Sequence, residues 1–443
     1  MTENIYPTEQ LKCWGKAKEL REKYYRDYAT AHETGGVRWA GGANNIDPIL
    51  LGLGDDVHGL TGEPYGATVA VDRDFAARCH QAVEEKGYKR DVCAYMRNYW
   101  GSILIDEFVF GGPFPKPDFL WQFHVCCSHA KWYEEVARIE KDVPYYCTDL
   151  SAGFYYEWDE ALGQYQPAPK DYRIQYVVDQ LQEGIEWLEK VTGRKYDDEK
   201  LIKAAYNYFE SLSLWAEICV LNKAVPAPLD EKTMFSLYVF SALQKSKDEY
   251  VEFFRELRDE VQDRVDRGIA ALANEKARIM SDIQPPWGFL SIFRYLEDFG
   301  CVSVGSYYTF CLMGMWQIEK DGTLNARETP QSKGIVLKDR EQTLKMLADW
   351  MLSQFMSTLF YTHKFKSDIM IKIAEQWKCI GAIMHYNRGC EGLTLGVAEN
   401  RMALMEAGIP VVSYEGNMGD EREFDLAETQ GKIDAFMESL GLK

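Results

Sequence analysis

The stretch that decides the fold is HYNRGCEGLTLGVAENRMALMEAGIPVVSYEGNMGDEREFD, residues His385 to Asp425, near the carboxyl end of the chain. An apolar run, Cys379–Met384, leads into it, and an amphipathic helix pattern, Leu395–Glu406, follows a glycine-flanked cysteine, Cys390. A strand that passes through a turn into a helix is how open α/β sheets bring side chains to a site at the carboxyl ends of their strands. A cysteine in that turn can serve as a nucleophile, a redox thiol or a metal ligand.

The same alternation of strands and helices occurs on both sides of a helical middle. The predicted strands are Val37–Ala40, Ala67–Val71, Phe119–Val125, Val143–Cys147, Cys301–Val304, Cys379–Met384 and Ile409–Tyr414. Apolar residues recur with a period near 3.6 over Tyr172–Val191, Asp198–Leu221, Glu231–Leu243 and Lys247–Ile279, which predicts helices there. We therefore expect an α/β fold with two flavodoxin-like or Rossmann-like parallel-sheet lobes and a helical insertion between them.

Four segments follow from this pattern. We predict an N-terminal helical segment over 1–35 and a first α/β lobe over 36–169 that contains Cys93 and Cys126. A helical insertion over 170–283 follows, because Pro285 and Pro286 stop the helical pattern. The second α/β lobe, 284–443, contains Cys390.

Composition excludes several classes of function. The 443 residues carry a formal net charge of -19, which disfavours nucleic-acid binding because phosphate contacts need an excess of Lys and Arg. No apolar run approaches the ~18–20 residues of a membrane span, and the amino terminus has no apolar signal core, so we expect a cytoplasmic protein without membrane contact. The chain has no GxxxxGK[ST] loop, no GxGxxG fingerprint and no GxSxG elbow, which disfavours ATP, NAD and serine-hydrolase chemistry by those routes.

The candidate chemistry rests on cysteines. The chain has 11 cysteines and no CxxC pair, so structural disulfides are not expected. Cys93, Cys126 and Cys390 lie in separate segments and could together hold an iron–sulfur cluster. Spacing alone favours buried structural thiols over a metal site, because any three of the cysteines could be chosen. A glutamate, Glu63, lies in the turn-forming context LTGEPYGA.

Three segments carry a resemblance. GYKRDVCAYMRNYWG, VCCSHAKWYEE and HYNRGCEGLTLGVAENRMAL, in this order and spacing, resemble the cysteine segments of the benzoyl-CoA reductase/2-hydroxyacyl-CoA dehydratase family. With TGEPYG near the start and YEGNMGDEREFD near the end, the chain looks most like the B-type subunit of ATP-dependent (class I) benzoyl-CoA reductase. The resemblance implies one [4Fe–4S] cluster held by Cys93, Cys126 and Cys390. The family's second ligand stands five residues before a Lys, here Lys131, which selects Cys126 over Cys127.

The resemblance also implies a function and partners. The subunit would bind an aryl-CoA thioester, benzoyl-CoA, near the cluster and reduce the ring to a cyclohexadiene-carboxyl-CoA. Electrons would come from ferredoxin through a two-subunit ATP-hydrolysing activator, and a homologous second iron–sulfur subunit would complete the complex. Two alternatives remain, namely a 2-hydroxyacyl-CoA dehydratase subunit and an electron-relay subunit that binds no substrate.

Two further points concern the substrate. The segment RWAGG has a glycine or an alanine where dehydratases of the family carry serine, which disfavours dehydration and leaves more room for a ring. A buried acid with a raised pKa would have to supply a proton during ring reduction. We hypothesise that Glu63, or a nearby histidine, His58 or His124, supplies it.

Overall fold

The computed structural model describes residues 5–42, 46–150, 155–168, 170–359 and 362–442. The strands of this part of the chain are β1 (Val37–Gly41), β2 (Val57–Thr61), β3 (Phe119–His124), β4 (Tyr145–Asp149), β5 (Tyr156–Asp159), β6 (Gln164–Pro167), β7 (Ala277–Ser281), β8 (Cys301–Ser306), β9 (Trp316–Ile318), β10 (Leu324–Ala326), β11 (Gly381–Asn387) and β12 (Val411–Gly416). The pairs β5–β6 and β9–β10 are antiparallel hairpins outside the two main sheets.

The α-helices cover both faces of the sheets and fill the middle of the chain. They are α1 (Trp14–Thr30), α2 (Asp47–Leu51), α3 (Gly62–Val71), α4 (Arg73–Glu85), α5 (Ala94–Leu104), α6 (Cys127–Glu140), α7 (Asp171–Thr192), α8 (Asp198–Leu221), α9 (Glu231–Leu237), α10 (Phe240–Leu243), α11 (Asp248–Arg267), α12 (Ser291–Glu297), α13 (Tyr307–Cys311), α14 (Arg340–Ser353), α15 (Phe355–Leu359), α16 (His363–Gln376), α17 (Glu391–Thr394), α18 (Val397–Glu406) and α19 (Leu426–Ser439). Short 3-10 helices lie at Ala31–Thr34, Trp287–Phe289 and Glu421–Glu423.

The described residues form two parallel sheets of four strands each, which confirms the predicted α/β class. The first has the spatial order β2-β1-β3-β4, and the second has the order β8-β7-β11-β12. Both orders are flavodoxin-like. The second strand of each sheet lies on one side of the first strand, and the third strand lies on the other side of the first strand. Each sheet therefore has a topological switch point at its carboxyl edge, between β1 and β3 and between β7 and β11, where open α/β sheets bind ligands.

The middle of the chain is mostly helical, with α7 to α11 in sequence. Helix α8 packs against α11 within this helical region. It also packs against α2, which precedes the region in the chain, and against α14, which follows it. The predicted helix Lys247–Ile279 is wrong beyond Arg267. Gly268, with φ of 65°, ends α11, and Ala277–Ser281 becomes an inner strand, buried at every position. The division of the chain into the four predicted segments stays a prediction.

A second correction concerns the first lobe. The predicted strand Ala67–Val71 is instead the second half of helix α3, which begins at Gly62 and has Pro64 in its first turn. A short apolar run fits a strand and a buried helix equally well. Pro64 favours the helix here, because proline is common in the first turn of a helix. The strand in this region is β2, Val57–Thr61, which the alternation of the sequence did not predict.

Large aromatic side chains account for much of the core. The fully buried ones include Trp121, Trp132, Trp215, Trp350 and Trp377. Glycines make room for them: a Cβ on Gly184 would lie 2.3 Å from the Trp121 ring. In the described ranges no helix is long and apolar enough to cross a membrane.

Candidate functional site

A cavity lies between the carboxyl ends of the two sheets. Its lining residues follow the strands directly: Glu63 follows β2, Cys126 follows β3, Gln284 follows β7, Tyr308 follows β8 and Cys390 follows β11. The space measures about 970 Å³ including its open mouth. The two switch points of the fold thus face a common volume, which is where the topology predicts a ligand.

The cysteines Cys93, Cys126 and Cys390, predicted from the sequence, all line this cavity. Each one is the N-cap of a helix, of α5, α6 and α17 respectively. Free backbone N–H groups and the positive end of the helix dipole at such a position favour a thiolate. The amide of His129, for example, donates to Cys126 Sγ at 3.5 Å. Three chain segments far apart in sequence therefore each present a cysteine at the start of a helix.

Enclosure sets the protonation of these thiols. Burial raises the pKa of Cys93, and the neighbouring Cys390 and Cys126 raise it further. Burial also raises the pKa of Cys390, again with a contribution from Cys126. Burial alone would raise the pKa of Cys126, but the charge and hydrogen bonds of His129 outweigh it and lower that pKa. Three thiolates could coexist here only with a cation among them.

In the part of the chain that the structure describes, no three His, Cys, Asp or Glu side chains converge on one point as a single ion requires. Cys127, beside Cys126, is exposed and does not line the cavity.

A residue that the prediction did not select, His129, joins two that it did. Its Nδ1 lies 3.2 Å from Cys126 Sγ, and its Nε2 contacts Glu63 Oε1 within hydrogen-bond distance. Burial alone would lower the pKa of His129, but the charges of Cys126 and Glu63 outweigh it and raise that pKa. The imidazole ring therefore links the predicted acid to a predicted ligand. The sequence could have indicated this contact, because His129 lies three residues after Cys126, in the first turn of α6.

The structure does not bring the other two predicted acids to the cavity. His58 lies near the amino end of β2, at the opposite edge of the first sheet from Glu63, and burial lowers its pKa. His124 ends β3, and its half-exposed ring lies 3.4 Å from Asp149 Oδ1. Neither histidine is a lining residue.

The segment YEGNMGDEREFD reaches the site at one residue, while its Glu415, Glu421 and Asp425 are exposed. Met418 lines the cavity, and Asp420 is buried against Arg97 of α5, with Nη1 and Oδ2 3.0 Å apart. Burial alone would raise the pKa of Asp420, but Arg422, His80 and Arg97 outweigh it and hold that pKa well below its usual range. A buried ion pair thus joins α5, the helix that Cys93 caps, to the segment after β12.

Comparison with known proteins places the chain in a family. The model of the family described as 2-hydroxyglutaryl-CoA dehydratase, D-component, matches residues 64–440. The chain belongs to this family. All three cavity cysteines lie inside the matched range, and Glu63 lies directly before it.

Curated relatives are similar over most of their length. The chain is 27% identical over 433 residues to the (R)-2-hydroxyisocaproyl-CoA dehydratase alpha subunit of Clostridioides difficile, which covers 95% of this chain and 93% of that protein. It is 26% identical over 387 residues to the (R)-phenyllactyl-CoA dehydratase alpha subunit of Clostridium sporogenes, covering 86% and 84%. It is 22% identical over 507 residues to the (R)-2-hydroxyglutaryl-CoA dehydratase, subunit alpha, of Acidaminococcus fermentans, covering 96% of each.

These comparisons support the broader family resemblance, and they do not indicate the predicted closeness to benzoyl-CoA reductase. The structure also removes one reason for that prediction. None of Ala40, Gly41 and Gly42, in RWAGG, is a lining residue of the cavity, and a Cβ on Gly41 would lie 2.0 Å from the Trp121 carbonyl oxygen. The missing side chain at Gly41 serves packing between β1 and β3, so it does not make room for a ring.

Proposed function

We propose that the chain is the alpha-type subunit of a 2-hydroxyacyl-CoA dehydratase, the alternative that the sequence left open. The observation that carries the proposal is the convergence of Cys93, Cys126 and Cys390 on one cavity, with Glu63 on its wall. The dehydratase names of the relatives support this reaction over ring reduction. Their designation as alpha subunits supports a second, different subunit as partner.

The residues present fit a [4Fe–4S] cluster. Each thiolate of such a cluster binds a different iron, so the three sulfurs surround a volume and do not converge on a point. A cavity bordered by three cysteines at helix N-termini offers that volume, and Gln284 Nε2 adds a donor 3.5 Å from Cys390 Sγ. A cluster held by three cysteines supplies one-electron chemistry and an iron with an open coordination position.

The chain's own residues then have separate tasks. Dehydration of a 2-hydroxyacyl thioester removes the α-hydroxyl group and a β-hydrogen as water, with no net oxidation. In this proposal Glu63, on the cavity wall, exchanges a proton with the acyl group, and His129 contacts its carboxylate. His129 also holds the Cys126 sulfur, so one ring fixes the acid relative to a ligand. The apolar wall around them excludes water and so protects the reaction.

The partners belong to the same proposal. The chain pairs with a homologous second subunit and receives an electron from an ATP-hydrolysing activator supplied by ferredoxin. The electron enters at low potential and is not consumed, because the elimination is redox-neutral. The predicted absence of nucleic-acid and membrane partners, and the cytoplasmic location, remain predictions.

The test is to co-express the chain with its second subunit and purify the complex without oxygen. About four iron and four sulfide per iron–sulfur chain, together with dehydration of a 2-hydroxyacyl-CoA in the presence of activator, ATP and reductant, would support the proposal. The same preparation is assayed with benzoyl-CoA. Ring reduction without dehydration would overturn the proposal and restore the reductase prediction. A colourless protein without iron would show that the three cysteines are buried thiols without a cluster.

A further inference from the structure

We infer that Gln284 is a positioning residue of the cysteine site. It donates a hydrogen bond to the Cys390 sulfur and thereby raises the reduction potential of the cluster that Cys93, Cys126 and Cys390 hold in the proposed function. The inference rests on that function and gives a task to a residue outside the ligand set. The redox step concerned is the entry of one electron from the activator into the cluster, in which no covalent bond forms or breaks.

The main chain at Gln284 is attached to the strand that leads to Cys390. Gln284 follows β7 at the switch point of the second sheet, where β7 pairs with β11. Its carbonyl oxygen accepts a hydrogen bond from His385 Nδ1 of β11 at 2.7 Å. Pro285 comes next and restricts the backbone of Gln284 to extended conformations. The position of Gln284 relative to the end of β11 is therefore well defined.

The side chain of Gln284 lines the cavity and contacts the Cys390 sulfur. Its Nε2 lies 3.5 Å from Cys390 Sγ. A thiolate that binds iron has no hydrogen to donate, so the amide must present its NH2 group to this sulfur. Gln284 is 4% exposed, so water does not compete for the sulfur, and the low local dielectric strengthens the bond.

The other end of the same amide has no hydrogen-bond partner. Gln284 Oε1 is buried and unpaired in the described part of the chain. A buried amide oxygen in that state costs stability, and a leucine or methionine at this position would avoid the cost. What glutamine adds over those residues is the N–H group that faces Cys390. The structure thus retains an unfavourable oxygen together with a donor to a sulfur, which points to a task in function.

A hydrogen bond to a ligand sulfur acts on the reduction potential. Reduction places negative charge on the cluster and its thiolates, and a donor to one of these sulfurs stabilises that charge. The first lobe has a matching contact, because His129 Nδ1 lies 3.2 Å from Cys126 Sγ. Each lobe therefore supplies one side chain that contacts a ligand sulfur.

The test compares wild type with Gln284→Leu in the complex with the second subunit, purified without oxygen and matched in iron content. A redox titration with titanium(III) citrate and mediator dyes, followed by EPR, reports the fraction of reduced cluster. We expect the equilibrium constant for one-electron reduction of this chain's cluster to fall about tenfold, a shift of ~59 mV to more negative potential. The second subunit's cluster should keep its potential and serves as internal reference.

Ser357→Ala is the matched control. Ser357 also lines the cavity, but its hydroxyl group donates to the Met351 carbonyl oxygen at 2.8 Å. The variant removes a polar group from the cavity wall and keeps the donor to Cys390, so the potential should not change. If Gln284→Leu does not fold, as judged by circular dichroism, Gln284→Met takes its place, because methionine is unbranched and similar in length to glutamine.

A second readout detects the hydrogen itself. After exchange into D2O, ENDOR spectra of the reduced wild-type cluster should show an exchangeable proton coupling that Gln284→Leu lacks and Ser357→Ala retains. An unchanged potential in Gln284→Leu at equal iron content would overturn the inference and leave the dehydratase function intact. An equal shift in Ser357→Ala would also overturn it, because cavity polarity would then set the potential. If the wild-type complex contains no iron, the proposed cluster is wrong and the inference fails with it.

Discussion

The backbone amide of Ala94 donates to the carbonyl oxygen of Gly389 at 3.0 Å. This bond joins the residue after Cys93 to the residue before Cys390, across the two lobes of the fold. The spacing of the main chain at the two cysteines is therefore set by a backbone hydrogen bond. The approach is close: a Cβ on Gly389 would lie 2.3 Å from Asn417 Oδ1 and 3.0 Å from the Cβ of Ala94.

Gly389→Ala should accordingly loosen the site. We expect the free energy of unfolding to fall by about 1–3 kcal/mol, because Asn417 and its loop must move, and we expect the iron content to fall with it. Gly431→Ala is the matched control, since a Cβ there meets nothing within 4 Å in the middle of α19, and it should stabilise by about 0.5–1 kcal/mol. Urea unfolding and iron analysis measure both effects. An unchanged iron content in Gly389→Ala would show that this contact does not position the cysteines.

Single replacement of Cys93, Cys126 or Cys390 by Ala should remove this chain's share of the iron and sulfide from the anaerobically purified complex, because each sulfur borders the same cavity. The second subunit keeps its own iron. Cys127→Ala should retain the wild-type amount, since that side chain is exposed. Iron analysis with visible absorption is the measurement. Iron loss in Cys127→Ala, with none in Cys126→Ala, would reverse the assignment.

Glu63→Gln should lower kcat for dehydration by about 10²–10⁴, as removal of a general acid–base group does, while the cluster content stays constant. His124→Gln and His58→Gln should stay within about twofold of wild type, because neither residue lines the cavity. Steady-state kinetics on variants with equal iron content provide the comparison. Full activity in Glu63→Gln would show that another residue supplies the proton.

Acid should destabilise the protein through a buried histidine. Burial lowers the pKa of His385 to about 4, below its unfolded value, so the unfolded chain binds the extra proton first. The stabilisation is complete above pH 6.5 and is lost as the pH falls toward 4. It amounts to roughly 2–3 kcal/mol between pH 7 and 4.5. In the variant His385→Phe, the free energy of unfolding should lose roughly 2–3 kcal/mol less than in wild type between pH 7 and 4.5, although the variant is less stable at pH 7. Urea unfolding at each pH measures this difference. Parallel profiles for the two proteins would contradict the assignment.

Local sequence predicted the elements whose pattern is long and clear. Helix α8 coincides with its predicted range, Asp198–Leu221, and the strands before Cys126 and Cys390 are close to their predicted bounds. One failed prediction is the short apolar run Ala67–Val71, where burial on several sides removes the periodicity that separates helix from strand. The other is Lys247–Ile279, which continued a helix past Gly268 into the buried strand β7.

The sequence by itself determined the α/β class, the three cysteine segments and the family, because hydrophobic period, turn residues and motif order are local properties. Only the tertiary structure decided which acid meets which cysteine. His129 reaches Glu63 across 66 positions of sequence, and His58 and His124 stay away from the cavity although they are neighbours of predicted site residues in the chain. The reason is geometric: parallel sheets gather residues from distant strand ends at one edge, and the number of residues between two positions does not report that distance.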